Sequence, residues 1–223
     1  DLAKKSLLAG KHVFVEKPMV QTITQANDVI NIAKRKKLCL FVGHVFLHNQ
    51  IFKQIKKINK SELITDLNFD WRKFGTFNEN IFENLLSHEL SINLELFGIP
   101  KSFELISKSS CMSDSDLIHV RLGYDKNRKS NINVNRISNY KKKVITIITK
   151  KNLFIWDDDK LFKLNKKSKS FKIYFQSSQT PLFLECKNFI SDISAKKPII
   201  NSAILARDII TIVSKLHKKA IKI

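Results

Sequence analysis

The sequence predicts two structural parts in order along the chain: an α/β part with parallel strands, then an α+β domain with an open, mainly antiparallel sheet. The first part is predicted by two short apolar runs, Val13–Glu16 and Leu38–Gly43, which flank an amphipathic stretch and so indicate a βαβ unit. The second part is predicted by short apolar segments between residues 101 and 175 that charged turns separate. We expect residues 1–48 and 49–223 to form the two domains.

The α/β part begins with a helical segment over Asp1–Leu8, and Gly10 ends that helix because glycine readily adopts the left-handed cap conformation. The helix between the two strands begins near Thr22 or Thr24 and ends at Lys37. Its apolar side chains recur three and four residues apart, which is the spacing of one buried helix face.

The second domain begins with a basic amphipathic helix over Asn49–Lys60. The segment Glu62–Phe74 then alternates apolar and polar residues, which is typical of a strand with one buried face. A longer helix is predicted for Ile81–Phe97, and Gly98 and Pro100 end it in the usual order.

The rest of the chain predicts strands and then two helices. The helices are Pro181–Ser194 and Ser202–Lys219, the second with Asn201 or Ser202 as its N-cap. The segment Lys163–Lys172 is rich in lysine and serine, and it predicts an exposed hairpin loop. The predicted strands are Phe103–Ile106, Leu117–Tyr124, Asn131–Arg136, Val144–Thr149, Leu153–Trp156 and Lys172–Phe175.

The composition narrows the class of protein. The net charge is +20, but lysines are scattered through every segment, which favours a solvated basic surface over a specific nucleic-acid interface with a clustered basic face. No stretch approaches the roughly 20 apolar residues of a membrane span. Cys39, Cys111 and Cys186 lie far apart, which indicates reduced thiols in a cytoplasmic protein and no metal site.

Lys17 is the first candidate for chemistry. Glu16, Lys17 and Pro18 directly follow a predicted parallel strand, and open α/β sheets bind ligands at the carboxyl ends of their strands. His44 follows the second strand and is therefore expected in the same crevice.

His88 is the second candidate. Asn84, His88 and Ser91 recur at helical spacing and are expected to share one polar face. A histidine can act as a general acid or base near neutral pH, although this pattern alone favours an ordinary surface histidine. Two further sets have no predicted role in chemistry: His12, His48, His119 and His217 lack identifiable partners, and Trp71 and Trp156 are expected in the core.

The segment Ala9–Met19, Ala-Gly-Lys-His-Val-Phe-Val-Glu-Lys-Pro-Met, resembles the Glu-Lys-Pro signature of the glucose–fructose oxidoreductase/inositol dehydrogenase/rhizopine-catabolism (Gfo/Idh/MocA) family. The resemblance continues at Val42–His44, Asn80–Gly98 and Pro181–Ile223. It implies the C-terminal part of a Rossmann-type parallel sheet followed by the α+β substrate and oligomerisation domain. It also implies NAD or NADP as cofactor and a sugar, cyclitol or nucleotide sugar as substrate.

The same resemblance implies a role for each candidate. Lys17 corresponds to the lysine beside the nicotinamide and the substrate hydroxyl, and His88 to the histidine that exchanges the hydroxyl proton. Asn84 stands where the family pattern has an aspartate, so this position lacks the charge that would stabilise a protonated histidine. The implied catalytic residues are Lys17, His88 and Asn84; the cofactor-binding residues Glu16, Lys17 and Pro18; and the substrate-binding residues Lys17, His44, Asn80 and His88.

The leading hypothesis is therefore an NAD(P)-dependent sugar oxidoreductase. A phosphate-binding Gly-x-Gly-x-x-Gly loop does not occur in the sequence, and a start inside a helix suggests a fragment or truncated product. The alternative is an inactive family member that acts as a binding or assembly module, with homo-oligomer contacts through the second-domain sheet. Neither a membrane nor a specific nucleic acid is an expected partner.

Overall fold

The computed structural model describes residues 2–194 and 199–220. Asp1, which belongs to the predicted first helix, and residues 221–223, which belong to the predicted second domain, lie outside these ranges. None of the helices in the described ranges is long and apolar enough to cross a membrane. The helices are α1 Leu2–Leu8, α2 Ile23–Arg35, α3 Gln50–Ser61, α4 Ser87–Phe97, α5 Pro181–Ser194 and α6 Asn201–Ala220, with a 3-10 helix at Val45–His48 and a π-helix at Phe82–Leu86. The strands are β1 Val13–Glu16, β2 Leu40–Gly43, β3 Ile64–Phe74, β4 Ser102–Ser109, β5 Leu117–Gly123, β6 Lys129–Asn135, β7 Ile137–Thr149, β8 Leu153–Asp157, β9 Lys160–Asn165 and β10 Ser170–Gln176.

Strands β1 and β2 form a parallel pair, with Glu16 opposite Gly43 at their carboxyl ends. Helix α2 connects them and buries its apolar face. Thr22, rather than Thr24, is its N-cap: the Thr22 hydroxyl accepts from Gln25 N, and the Gln25 side chain accepts from Thr22 N. This reciprocal capping box satisfies two backbone donors that the first helical turn leaves unpaired.

The second part is an eight-stranded sheet in the order β10-β9-β8-β7-β3-β6-β5-β4. Every neighbouring pair is antiparallel except β3 and β6, which run parallel. The main core lies between one face of this sheet and helices α3, α4 and α6. The predicted fold class, a short parallel sheet followed by a mainly antiparallel one, is confirmed.

Helix α6 joins the two parts. Ala203 and Ala206 pack in the core of the parallel unit, whereas Ile209 and Ile212 pack in the core of the large sheet. Because one rigid helix contributes to both cores, the carboxyl ends of β1 and β2 are held against the second part.

Three local predictions are wrong. Lys163–Lys172 is mostly strand rather than loop, because β9 and β10 pair around a short turn and Leu161 is buried. Strand β7 begins at Ile137, well before Val144, since it pairs along the whole of β3. Neither Asn201 nor Ser202 caps α6: both lie within the helix, and the Ser202 hydroxyl instead accepts from Val42 N at 2.9 Å.

Candidate active site

Lys17 follows β1 directly and reaches the second part of the chain. Its ammonium donates to the backbone oxygen of Asn84 at 2.8 Å and to the side-chain oxygen Oδ1 of Asn84 at 2.9 Å. Burial lowers the pKa of Lys17, and the nearby carboxylates of Glu79 and Glu16 oppose that shift. Lys17 is therefore a half-buried cation fixed at the junction of the two parts.

Asn84 lies in the π-helix, where a regular α-helix was predicted over the whole of Ile81–Phe97. Asn80 begins this turn, because its side-chain Oδ1 accepts from Phe82 N at 2.9 Å. The Ser87 hydroxyl donates to Glu83 O at 2.7 Å and to Asn84 O at 3.1 Å. Such wide turns are frequent at functional sites, and this one presents both oxygens of Asn84 to Lys17.

The loop before the π-helix is clamped by Arg136, which is 3% exposed. The Arg136 guanidinium donates to Thr76 O at 2.8 Å and to Glu79 O at 2.5 Å, and it forms an ion pair with Asp116 at 3.2 Å. These contacts fix the segment that leads into Asn80 and the π-helix.

His88 lies one turn further on, in α4, and is half-buried. Its ring packs against Phe46 and Trp71, with ring centroids 5.2 and 5.5 Å away. Its Nδ1 is buried and has no hydrogen-bond partner among the described residues. Burial, followed by the positive charges of Lys17 and Lys143, lowers the pKa of His88 to about 2. His88 is therefore a neutral imidazole with a free ring nitrogen.

The predicted polar stripe is only partly present. Ser91 is buried, and its hydroxyl donates to His88 O at 2.6 Å, so it contributes no free group beside His88. Asn80 is occupied as a helix cap, and its Nδ2 lies 3.4 Å from His217 Nε2.

His44 is 2% exposed, and neither ring nitrogen has a hydrogen-bond partner within the described ranges. Burial, then the neighbouring His48 and Lys17, lowers its pKa to about 4. Glu16 is exposed, and its carboxylate lies over Gly43, where an added Cβ would meet Glu16 Oε2 at 2.9 Å. Pro18 follows Lys17 through a cis peptide bond.

Three histidines predicted to lack partners have them. His12 Nδ1 accepts from Cys39 N at 2.9 Å, and His217 contacts Asn80. His48 lies 3.7 Å from the buried carboxylate of Glu185 and contacts the Asn188 amide.

Sequence reasoning missed four residues around His88: Phe46, Trp71, Glu89 and Lys143. Trp71 was expected in the core but is half-buried beside His88. Lys143 is directly opposite Trp71 in the β3–β7 register, so both side chains project from the same face of the sheet. The alternation of inward and outward residues along β7 would have shown that Lys143 shares a face with Trp71, but only if the strand had been predicted to begin before residue 143.

Two cavities adjoin this site. One of about 320 Å³ is lined by Lys17, Pro18, His44, Ser87 and apolar residues of α6. The other, of about 410 Å³, is lined by Phe46 and Lys143 together with polar groups of the segment 177–181.

The residues at the carboxyl ends of β1 and β2 fit one end of a nicotinamide cofactor. The unpartnered ring nitrogens of His44, the Lys17 ammonium and the exposed Glu16 carboxylate offer the donors and acceptors that a carboxamide and a ribose require. Because the sequence contains no Gly-x-Gly-x-x-Gly loop, only residues for the nicotinamide end can be named in this chain.

Sequence comparisons identify relatives among oxidoreductases. Residues 1–44 match the model of the GFO_IDH_MocA oxidoreductase family with an NAD-binding Rossmann fold. The chain is 29% identical over 143 residues to the uncharacterized oxidoreductase YdgJ of Escherichia coli, a match that covers 57% of this chain and 41% of YdgJ. It is 30% identical over 135 residues to the scyllo-inositol 2-dehydrogenase (NADP(+)) IolW of Bacillus subtilis, covering 53% and 37%. The matched part thus spans about two fifths of these relatives.

Solved structures share the fold across almost the whole chain. UDP-N-acetylglucosamine 3-dehydrogenase GnnA from Acidithiobacillus ferrooxidans superposes with a TM-score of 0.87 at 17% identity, covering 96% of this chain and 72% of GnnA. Biliverdin reductase from Synechocystis, solved with biliverdin and NADP+, superposes with a TM-score of 0.78 at 15% identity, covering 98% and 74%. The predicted cofactor class agrees with the NAD-binding family model. The resemblance predicted from the sequence is confirmed: residues 1–44 match the family model of the Gfo/Idh/MocA oxidoreductases, and the chain resembles members of that family in sequence and fold.

Proposed function

We propose that this chain carries the catalytic residues of an NAD(P)-dependent oxidoreductase that transfers a hydride between the cofactor and a hydroxyl carbon of a sugar, cyclitol or nucleotide sugar. The observation that supports it best is the contact of Lys17 with Asn84, one helical turn from His88. This contact brings the end of a cofactor-domain strand to the helix that carries a candidate base.

Lys17 is suited to polarise the substrate oxygen. An ammonium has three N–H donors, and Asn84 accepts two hydrogen bonds from it. One donor is left for a substrate hydroxyl, where the positive charge stabilises the alkoxide character that develops during oxidation.

His88 is suited to accept the hydroxyl proton. The ring is neutral at physiological pH because burial lowers its pKa, and its unpartnered Nδ1 is available to the hydroxyl proton. When bound, the oxidised nicotinamide supplies the acceptor for the hydride that leaves the same carbon. The proton and the hydride together account for the conversion of the alcohol to the carbonyl compound.

The cavity beside Lys143 supports a hydroxyl-rich substrate. It combines the aromatic rings of Phe46 and Trp156 with the polar groups of Asn49, Asp158 and the segment 177–181. Aromatic faces with amide and carboxylate acceptors suit sugars, which present apolar ring faces and many hydroxyls. The named substrates of IolW and GnnA, an inositol and a nucleotide sugar, belong to this class.

A second candidate function is that of an assembly module in which residues 49–223 act as one domain. It is favoured by the sheet face opposite the helices, which no described helix covers and which carries polar side chains such as Asn68, Asp70 and Asn131. If this face joins two copies, Asn68→Lys should dissociate the oligomer in light-scattering measurements. A monomeric wild-type protein would rule this candidate out.

The primary test is hydride transfer by the protein purified from its native host, with its intact mass determined first. Inositols, hexoses and nucleotide sugars are offered with NAD+ or NADP+, and formation of the reduced cofactor is followed by absorbance. We expect turnover that Lys17→Ala abolishes and that the exposed control Lys11→Ala retains. Equal turnover in both variants would overturn the proposed role of Lys17, and absence of turnover across the panel would overturn the proposed activity.

A further inference from the structure

Lys143 has an unusual position for a lysine. It is the third of three consecutive lysines in β7, and Lys141 and Lys142 are exposed, as expected for a basic strand. Lys143 instead projects toward the helices, opposite Trp71, and its side chain is only 18% exposed.

The ammonium of Lys143 is held by one carboxylate and two rings. It forms an ion pair with Glu89 Oε1 at 2.7 Å, and the Glu89 side chain is 1% exposed. It also lies 3.4 Å from the ring centroid of Phe46 and 3.7 Å from that of Trp71. Burial lowers the pKa of Lys143, and the Glu89 carboxylate together with the electron-rich faces of both rings opposes that shift and favours the cation.

The same two rings pack against His88. Phe46 meets His88 edge to face, and Trp71 contacts it at a tilt. Glu89 follows His88 directly in α4. Lys143 therefore contacts both rings that pack against His88, and its ion-pair partner Glu89 lies in the helical turn that carries His88.

We propose that Lys143 is the positioning residue of His88: clamped between Phe46 and Trp71 by Glu89, it fixes the orientation of the imidazole and holds a positive charge against it. This role rests on the proposed function of His88 as the proton acceptor, but the charge effect can be measured without that function.

The charge has a definite consequence. The titratable and charged groups that face His88 are Lys17 after β1, His44 after β2, Lys143 from β7 and Glu89 from its own helix. Burial, then the charges of Lys17 and Lys143 and lastly His44, lower the pKa of His88 and so disfavour a proton on its ring. Removing Lys143 should therefore make His88 easier to protonate.

A purely structural role does not account for this arrangement. Replacing a buried ion pair by apolar side chains of similar volume is often neutral or stabilising, so a lysine is not needed to fill the space between the rings. Methionine has the length and flexibility to occupy the same gap. Lys143→Met consequently removes the charge while retaining most of the packing.

The first experiment is an NMR titration of His88 in the isolated 223-residue chain, with the imidazole signals assigned from His88→Gln. In the wild type and in the matched control Lys142→Met, His88 should remain neutral across the pH range in which the protein is folded. In Lys143→Met the ring of His88 should become protonated at a pH at which the wild-type ring is still neutral, because removing a like charge from contact distance raises the pKa by about one unit or more.

Lys143→Met could unfold the protein because it leaves the buried Glu89 carboxylate without its ion-pair partner. A second variant covers that case. Lys143→Met/Glu89→Gln removes both charges, and the His88 midpoint should again rise because only the lysine ammonium lies against the shared rings. If His88 in a folded variant stays neutral down to the same pH as in the wild type, the proposal is overturned.

A kinetic experiment tests the link to turnover. In the native protein, Lys143→Met should give kcat an acid limb at the pH at which NMR shows His88 becoming protonated, where the wild type keeps its activity. A uniform loss of kcat without a shifted limb would contradict a positioning role through charge. Because the titration needs neither cofactor nor substrate, its result stands apart from whether the dehydrogenase activity is found.

Discussion

The ammonium of Lys17 donates to both oxygens of Asn84, at 2.8 Å to the backbone and 2.9 Å to the side chain. These residues belong to different parts of the fold, one after a strand of the parallel unit and the other in the π-helix of the second part. Under the proposed role of Lys17, the contact leaves one N–H of the ammonium to point at a substrate oxygen. It also explains how a neutral asparagine can stand beside the lysine, since it offers acceptors in place of a counter-charge.

Asn84→Asp should raise the pKa values of both Lys17 and His88. A carboxylate in contact with a cation stabilises its charged form by about 1 to 3 pKa units, and the same negative charge partly offsets the two lysines near His88. We expect activity to fall at acid pH values at which the wild type is still active, because His88 then becomes protonated at a higher pH.

Asn80→Asp is the matched control, because aspartate caps a helix as well as asparagine does and Asn80 does not contact Lys17. If both variants move the acid limb equally, the effect is one of general charge and not of the Lys17–Asn84 contact.

His88→Gln should lower turnover by about 10²- to 10⁴-fold, the usual contribution of a positioned proton acceptor. Glutamine approximates the size of the ring and can still hydrogen-bond, but it cannot take up the proton. Steady-state kinetics should show the loss in kcat with little change in the cofactor Kd. His119→Gln, on the opposite side of the sheet from the helices, should leave both values unchanged; a comparable loss there would argue against a special role of His88.

Much of the fold is predictable because its signals are local. The apolar run Val13–Glu16, the capping threonine before α2 and the glycine after α4 each determine a boundary through their own conformational preferences. Strand β9 was missed because its lysines have long stems that pack on neighbouring rings: the Lys163 ammonium lies 5.5 Å from the ring centroid of Phe154. Such cross-strand packing is set by the tertiary fold and not by the segment itself.

The candidate site is predictable only where residues cluster in the sequence. Lys17 and His88 could be named from their motifs, but their surroundings come from distant strands. Lys143 reaches His88 through the pairing of β7 with β3, and a run of three lysines gives no sign of which one is buried. The π-helix was equally hidden, since its sequence fits an ordinary amphipathic helix.

Arg136→Met should destabilise the protein by about 3 to 5 kcal/mol, because it removes the only cation paired with the fully buried Asp116 carboxylate among the described residues. It also frees the carbonyl groups of Thr76 and Glu79, which precede the π-helix. The free energy of unfolding can be measured in urea. We expect an additional rise in hydrogen exchange at the amides of residues 76–86.

The exposed Arg121 on the adjacent strand β5 provides the matched control, since Arg121→Met removes the same charge without breaking a buried pair. If the two substitutions lower the free energy of unfolding equally, the contacts of Arg136 with Asp116, Thr76 and Glu79 do not stabilise the protein more than an exposed arginine does.

The pH dependence of stability should reflect two opposing groups in the same junction. Burial lowers the pKa of His44 from 6.5 to about 4, so between these values the unfolded chain binds a proton that the folded state excludes. Stability therefore falls as pH drops from about 6.5 to about 4, by about 1.4 kcal/mol per pH unit for one group.

Burial raises the pKa of Glu185 from 4.5 to about 7, so the folded state holds a proton that the unfolded chain releases. Its contribution falls as pH rises from about 4.5 to about 7.

Because the two windows overlap, the contributions of His44 and Glu185 largely cancel between pH 4.5 and 6.5, whereas His48 and His88, whose pKa values burial also lowers, make stability rise with pH there. Glu185→Gln retains the shape and hydrogen-bonding capacity of the protonated acid but removes the titration. In that variant stability should rise with pH more steeply than in the wild type, by the contribution of one group, as measured by urea unfolding at each pH. His44→Asn should have the opposite effect on the slope, so that stability rises with pH less steeply than in the wild type. If neither substitution changes the slope, the buried side chains of Glu185 and His44 do not hold the protonation states that their burial requires.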